Sequence, residues 1–231
     1  LDSTLSGVAY REVMQSLRSG ELKLLFVAPE RFNNERFREA IRSVRISLFA
    51  VDEAHCISEW GHNFRPDYLK LAGFAQEIGA ERILALTATA TPTVLEDICR
   101  NLKISPQCAI RTGFYRPNLH LLTTTVAANE RDRVLLDALK MHPPAATIIY
   151  VTKQQTAEEV AQQITDAGLS ARPYHAGMKD EIRSEVQEWF MASASAIVVA
   201  TIAFGMGVDK ADIRYLYHYN PPKSLENYAQ E

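Results

Sequence analysis

Cysteine is scarce in these 231 residues and does not pair by pattern: Cys56, Cys99 and Cys108 are an odd number with no Cys-x-x-Cys spacing. That argues against a disulfide framework and against a structural zinc site. A reducing compartment is expected, hence an intracellular location. Long apolar runs are lacking too. Nothing approaches the ~18 uncharged residues of a membrane span, and Leu1-Asp2-Ser3-Thr4 is not the start of a signal peptide. No membrane partner is expected. The sequence does not begin with Met, and a piece cut from something longer is the expectation. Finally, no charge of one sign dominates. Twenty-five Lys and Arg stand against 28 Asp and Glu, net −3, with a pI near 6.1, so any contact with nucleic acid must be local.

What is present is an ordinary globular composition, 47% apolar and 23% charged, long enough for one large domain or two of about 110 residues. Gly20 stops a helix-like stretch that includes Arg11, and residues 22–28 read as a buried strand halted by Pro29. Helices are expected over 33–45, 68–78 and 93–102, the last with Thr91 as cap and Pro92 in the first turn, and strands over 46–51 and 82–86. Pro106, Gly113 and Pro117 then break the pattern between 105 and 118, the expected junction. A second series follows, with strands 146–151, 171–175, 196–201 and 213–217 and helices 154–167 and 179–191. Short apolar strands alternating with helices indicate parallel sheets in two similar α/β domains. A ligand cleft between them would be natural, since such sheets bind at the carboxyl ends of their strands.

The chemistry concentrates in Leu48-Phe49-Ala50-Val51-Asp52-Glu53-Ala54-His55, an apolar strand ending in two carboxylates and a histidine. Adjacent side chains diverge at a strand end, so Asp52 can hold Mg²⁺, through water, while Glu53 orients or deprotonates the water that attacks a γ-phosphate. Two other readings stand beside this: a polar strand end capping the next helix, and a metal hydrolase with Asp52, His55 and His62 as ligands, whose spacing fits no zinc pattern. Downstream, Trp60, His62 and Phe64 recur at every second position beside Arg65, with Gly61 and Pro66 favouring a loop over a strand. Such a loop exposes rings and a guanidinium for stacking on unpaired bases; a buried aromatic face is the alternative.

Residues 52–66, Asp-Glu-Ala-His-Cys-Ile-Ser-Glu-Trp-Gly-His-Asn-Phe-Arg-Pro, resemble motif II and the aromatic-rich loop of the RecQ family of DNA helicases. Val27-Ala28-Pro29-Glu30-Arg31 precedes them in the family's order. Ala85-Leu86-Thr87-Ala88-Thr89-Ala90 resembles motif III and Ile148-Ile149-Tyr150 motif IV. Tyr174-His175-Ala176-Gly177-Met178 follows, residues 200–210 are similar to motif V, and 224–231 open motif VI. The likeness covers the whole chain, most weakly over 120–145.

The resemblance implies an α/β fold of two RecA-like lobes with parallel sheets, the P-loop NTPase helicase core, with the first lobe (1–115) lacking its beginning and the second spanning 116–231. It implies an ATP- and Mg²⁺-dependent motor moving 3′ to 5′ on single-stranded DNA and opening partial duplexes in repair and recombination. By the family pattern, Asp52, Glu53 and His55 are catalytic. Gly207, Asp209 and Gln230 join Asp52 and Glu53 at the nucleotide, and Thr87 and Thr89 couple the nucleotide site to DNA. Arg31, Trp60, His62, Phe64, Arg65, Thr89, Thr152 and Thr201 contact DNA. Each has a plainer counterpart: Thr87 and Thr89 as a helix cap, Gly205 and Gly207 as a turn, His175 as a structural histidine, and the five arginines between 31 and 45 as a solvated helix face.

Three features depart from the family. The sequence contains no Gly-x-x-x-x-Gly-Lys-Ser/Thr stretch to cradle ATP phosphates, so the isolated chain is expected to hydrolyse ATP poorly, if at all. Glu59 stands where the family commonly has Gln, and Tyr115 where it has Asp. The competing functions are a catalytically dead single-strand-binding module and an RNA helicase of the same superfamily; the oligomeric state is not legible.

Overall fold

The computed structural model describes residues 7–60, 64–112, 116–205, 208–222 and 224–230, the side chains of Leu225, Glu226 and Gln230 excepted. The chain divides into two compact units, Leu1–Gly113 and Phe114–Ala229.

In the first unit α1 (Gly7–Arg18) is followed by a 3-10 turn (Pro29–Asn33) and α2 (Glu35–Arg42). The strands β1 (Phe49–Val51) and β2 (Ile83–Ala85) pair in parallel, Phe49 opposite Ile83 and Val51 opposite Ala85. Between them lie a 3-10 turn (Ala54–Ile57), another (Pro66–Lys70) and α3 (Leu71–Glu77); α4 (Pro92–Leu102) closes the unit. Local chemistry sets the helix starts. The Asn34 side chain accepts from the Phe37 amide at 3.1 Å, and Thr91 caps α4 by accepting from Val94 N ahead of Pro92. The core is built around Phe32, whose ring meets Phe37, Phe49 and Phe74 at 5.5, 5.6 and 5.3 Å between centroids.

The second unit holds α5 (Arg131–Met141), β3 (Ala146–Tyr150), α6 (Gln154–Asp166), β4 (Ala171–Tyr174), α7 (Asp180–Ala192), β5 (Ile197–Ala200), β6 (Ile213–His218) and α8 (Leu225–Gln230). Its four strands form one parallel sheet in the order β4-β5-β3-β6. Strand side chains alternate between faces, and the two cores follow that alternation. Ile149, Val151, Ile197 and Val199 pack with Leu135 of α5 and with Ala157, Val160 and Ile164 of α6. Ile148, Tyr150, Val198 and Ala200 pack with Val186 and Phe190 of α7. Helices on both faces explain why every residue of β3 and β5 is buried, Thr147 included, rather than alternating with exposed ones.

Several expected boundaries move. Residues 22–28 form no strand: Leu22, Leu25 and Val27 lean on the core, whereas Leu24 and Phe26 are exposed, and no sheet partner is bonded to the segment among the described residues. The helix expected over 33–45 is α2 alone, because Asn34 is its cap and Ser43 its end. That over 68–78 begins as a 3-10 turn, and the strands over 46–51 and 82–86 shrink to three residues each. Helix α5, carrying Leu135, Leu136 and Leu139 inward, arises in the stretch where no element was expected.

Candidate functional site

β1 delivers Asp52 and Glu53 to the point where the backbone turns sharply. Glu53 has φ 49° and ψ 42°, the left-handed region that costs a residue with a Cβ roughly 1–2 kcal/mol. Its amide donates to Asp52 Oδ1 at 2.9 Å. The next amide, of Ala54, donates to Leu86 O at 2.9 Å, fastening the turn to the end of β2. Asp52 is exposed and Glu53 half-buried.

His55 is almost fully buried, and its Nδ1 lies 3.2 Å from Glu53 Oε2 and 3.0 Å from Thr87 Oγ1. A carboxylate and a hydroxyl oxygen as neighbours favour the tautomer with the proton on Nδ1. Thr87 Oγ1 also accepts from the Thr89 amide at 3.2 Å and donates to Thr89 O at 3.4 Å. A continuous polar path thus runs from Glu53 through His55 to Thr87 and Thr89. Thr89 is itself 5% exposed.

Beyond His55 the chain carries Cys56, whose Sγ lies 3.7 Å from His55 Nε2. Burial pushes this thiol up from its ordinary range, with the nearby Arg65 pulling it down and Glu53 pushing it up. The Ser58 hydroxyl donates to Asp97 Oδ2 at 2.6 Å and accepts from the Trp60 amide at 3.2 Å. Asp97 is held in turn by Arg100 at 2.8 Å. Trp60 then stands 77% exposed, Phe64 half-buried and Arg65 exposed. The Arg65 amide donates to Cys56 O at 2.9 Å, closing the bend at its base. His62 lies outside the described residues. The Ser58–Asp97 pair escaped sequence reasoning because 39 positions separate its members; Ser58 inside the motif was the available signal.

In the second unit Thr152, exposed, follows β3 and is tied through its amide and hydroxyl to Asn220 Oδ1 at 3.2 and 3.4 Å. Thr201, half-buried, follows β5, and Asp209 is exposed; Gly207 lies outside the described residues. Gln230 ends α8 with its side chain undescribed. Arg31 is in the 3-10 turn of the first unit with its guanidinium over the Tyr10 ring, 5.3 Å from the centroid. The buried Tyr150 hydroxyl, missed from sequence, donates to Phe204 O at 3.0 Å. His175 is buried with Nε2 3.2 Å from Glu158.

Two family models match: DEAD/DEAH box helicase over residues 1–98 and helicase conserved C-terminal domain over 130–231. The whole chain is 37% identical to the ATP-dependent DNA helicase RecQ of Bacillus subtilis, spanning 39% of that protein. It is 38% identical to the RecQ-like DNA helicase blm-1 of Caenorhabditis elegans, spanning 24% of it. Mycobacterium smegmatis helicase Lhr, in a structure bound to ssDNA and AMP-PNP, matches 99% of the chain and 31% of its own with a TM-score of 0.67 at 20% identity, a likeness of fold.

Proposed function

The chain belongs to the RecQ family of helicases and has the α/β core of RecA-like lobes, and from that premise we propose that it serves an ATP-dependent motor. The motor moves 3′ to 5′ on single-stranded DNA and opens partial duplexes, in repair and recombination. Residues 1–115 are the first lobe and 116–231 the second.

Mg²⁺ keeps most of its waters and asks for one or two carboxylates plus substrate phosphates. Asp52 suits that demand: it is exposed, and with Oδ1 occupied by the Glu53 amide its second oxygen is left for the ion's water. When bound, the ion supplies charge neutralisation on the phosphates. Glu53, oriented by His55, positions the attacking water and accepts its proton. Asp209, Gly207 and Gln230 hold the nucleotide from the second lobe. Trp60 and Phe64 stack on bases, and Arg65, Arg31, Thr152 and Thr201 meet phosphates.

One observation carries this reading: the polar path from Glu53 through His55 to Thr87 begins seven residues before the exposed ring of Trp60. A bound strand that shifts the bend can therefore be felt at the carboxylate. A second reading, a nucleotide-independent single-strand binder, draws on the lack of a phosphate-cradling loop in these 231 residues. Fluorescence anisotropy with matched DNA and RNA oligonucleotides tests both. The expected result is salt-sensitive DNA binding that Trp60→Ala with Arg65→Ala weakens about tenfold or more, since each stacked base contributes about 1–3 kcal/mol. Unchanged affinity in that variant contradicts the assignment, and equal binding of RNA favours the RNA-unwinding alternative.

A further inference from the structure

The five arginines between 31 and 45 are not equivalent in the structure. Arg38 reaches Glu77 at 3.2 Å, Arg42 pairs with the same carboxylate, and Arg45 pairs with Glu81 at 2.6 Å. Arg31 lies over Tyr10. Arg36 does none of this. It is exposed, and no carboxylate of the described residues stands within ion-pair distance of it.

Arg36 instead lines a surface cavity of about 480 Å³ between α1 and α2, opposite Arg11, Gln15 and Arg18, over a floor of Met14 and Ala40. Positions 11, 15 and 18 follow the i, i+4, i+7 rhythm of one helix face, and seven residues of helix separate the two α1 arginines by about 10 Å along the axis. Arg11 and Arg18, like Arg36, are exposed and have no ion-pair partner among the described residues. Glu12, Glu35 and Glu39 sit on the same helices, yet none lines the cavity. Three arginines therefore border a common space in a chain whose net charge is −3.

Like charges gathered this way repel one another until an anion joins them. Guanidinium forks match phosphate oxygens in pairs of hydrogen bonds. Charges spread over about 10 Å suit a chain of phosphates better than a single one. We propose that this groove binds the phosphodiester backbone of nucleic acid, as a contact separate from the aromatic bend, none of whose residues lines it. The proposal rests on the nucleic-acid function above and adds a second anchoring point to it.

The test is the salt dependence of oligonucleotide binding by the 231-residue chain, read by anisotropy at several KCl concentrations. Arg11→Gln, Arg18→Gln and Arg36→Gln are combined and compared with Arg45→Gln, Arg82→Gln and Arg133→Gln, which remove equal charge elsewhere. All six are surface positions, so folding is not at stake. Loss of three phosphate contacts lowers the slope of log affinity against log salt by about 2 for single strands; that fall in the groove variant, with a change less than half as large in the control, supports the proposal. An unaltered slope, or an equal fall in the control, overturns it. So does displacement of the oligonucleotide by polyglutamate or by inorganic tripolyphosphate as effectively as by unlabelled DNA, which would assign the groove to an acidic protein or a small phosphate. The Trp60→Ala, Arg65→Ala chain separates the two readings: if it keeps the groove-dependent slope, the groove is upheld even where the bend fails.

Discussion

At the scale of single residues, the base of the aromatic bend depends on one hydroxyl. Ser58 is 1% exposed, donates to Asp97, and accepts from the backbone of Trp60. Replacing it by Ala leaves a mostly buried carboxylate and a backbone amide each short of a partner. Unsatisfied buried groups cost about 1–3 kcal/mol, more for charged ones, so Ser58→Ala should lower the unfolding free energy of the first unit, read from urea denaturation, by an amount in that range. Ser58→Thr, which keeps the hydroxyl, should recover part of it. An Ala variant as stable as the parent would mean that Arg100 and water suffice for Asp97. The acidic pair itself was legible in the sequence because an apolar strand ending in Asp52-Glu53 is a local pattern. The partner of Ser58 was not, because tertiary folding alone brings α4 to it.

Among elements, the mostly apolar strands β3 and β5 were readable with their neighbours, since burial on both faces writes itself as a nearly continuous apolar run, broken in β3 by Thr147. Residues 22–28 looked alike in composition but lack the hydrogen-bonded neighbour that makes a strand; side-chain propensity cannot supply one. The loop after β5 yields a test of packing. Gly205 has φ 122°, and a Cβ there would run into the Tyr150 hydroxyl. Gly205→Ala should therefore destabilise the second unit through both strain and collision, and Tyr150→Phe should relieve the collision alone. In a double-mutant cycle of thermal denaturation, the Ala substitution should cost less in the Phe background; strict additivity would show that the hydroxyl is irrelevant to the loop.

The join between α5 and the end of β6 offers a pH test. Tyr219 donates to Asp132 Oδ1 at 2.5 Å. Burial first, then that bond and the carboxylate's charge, push its hydroxyl from an ordinary 10.0 up to about 12. A folded pKa above the unfolded one means the stabilisation is complete below pH 10 and disappears as pH rises through about 12. Tyr68 and Tyr217 are also raised, so the measurement is a difference. Between pH 10 and 12 the fall in Tm should be shallower for Tyr219→Phe than for the parent, and parallel curves would count against the coupling.

At the scale of the whole molecule, two units each carry their own apolar core. Their similar kind was readable from the repeated strand-helix alternation. Net charge carries no functional signal here: at −3 overall, the proposed recognition of a polyanion falls to local groups such as Arg65 and the α1–α2 arginines. Resemblance over the full length supplied the family, and the physical content added by the structure is the polar path from Glu53 through His55 to Thr87, which begins seven residues before the exposed indole of Trp60. The most direct measurement of that content is the fluorescence of Trp60, isolated by Trp189→Phe, during titration with a poly-dT oligonucleotide. Stacking should quench it in step with the binding read by anisotropy, and Ser58→Ala should reduce the quench at saturation. Full binding with the Trp60 emission unchanged would contradict the account.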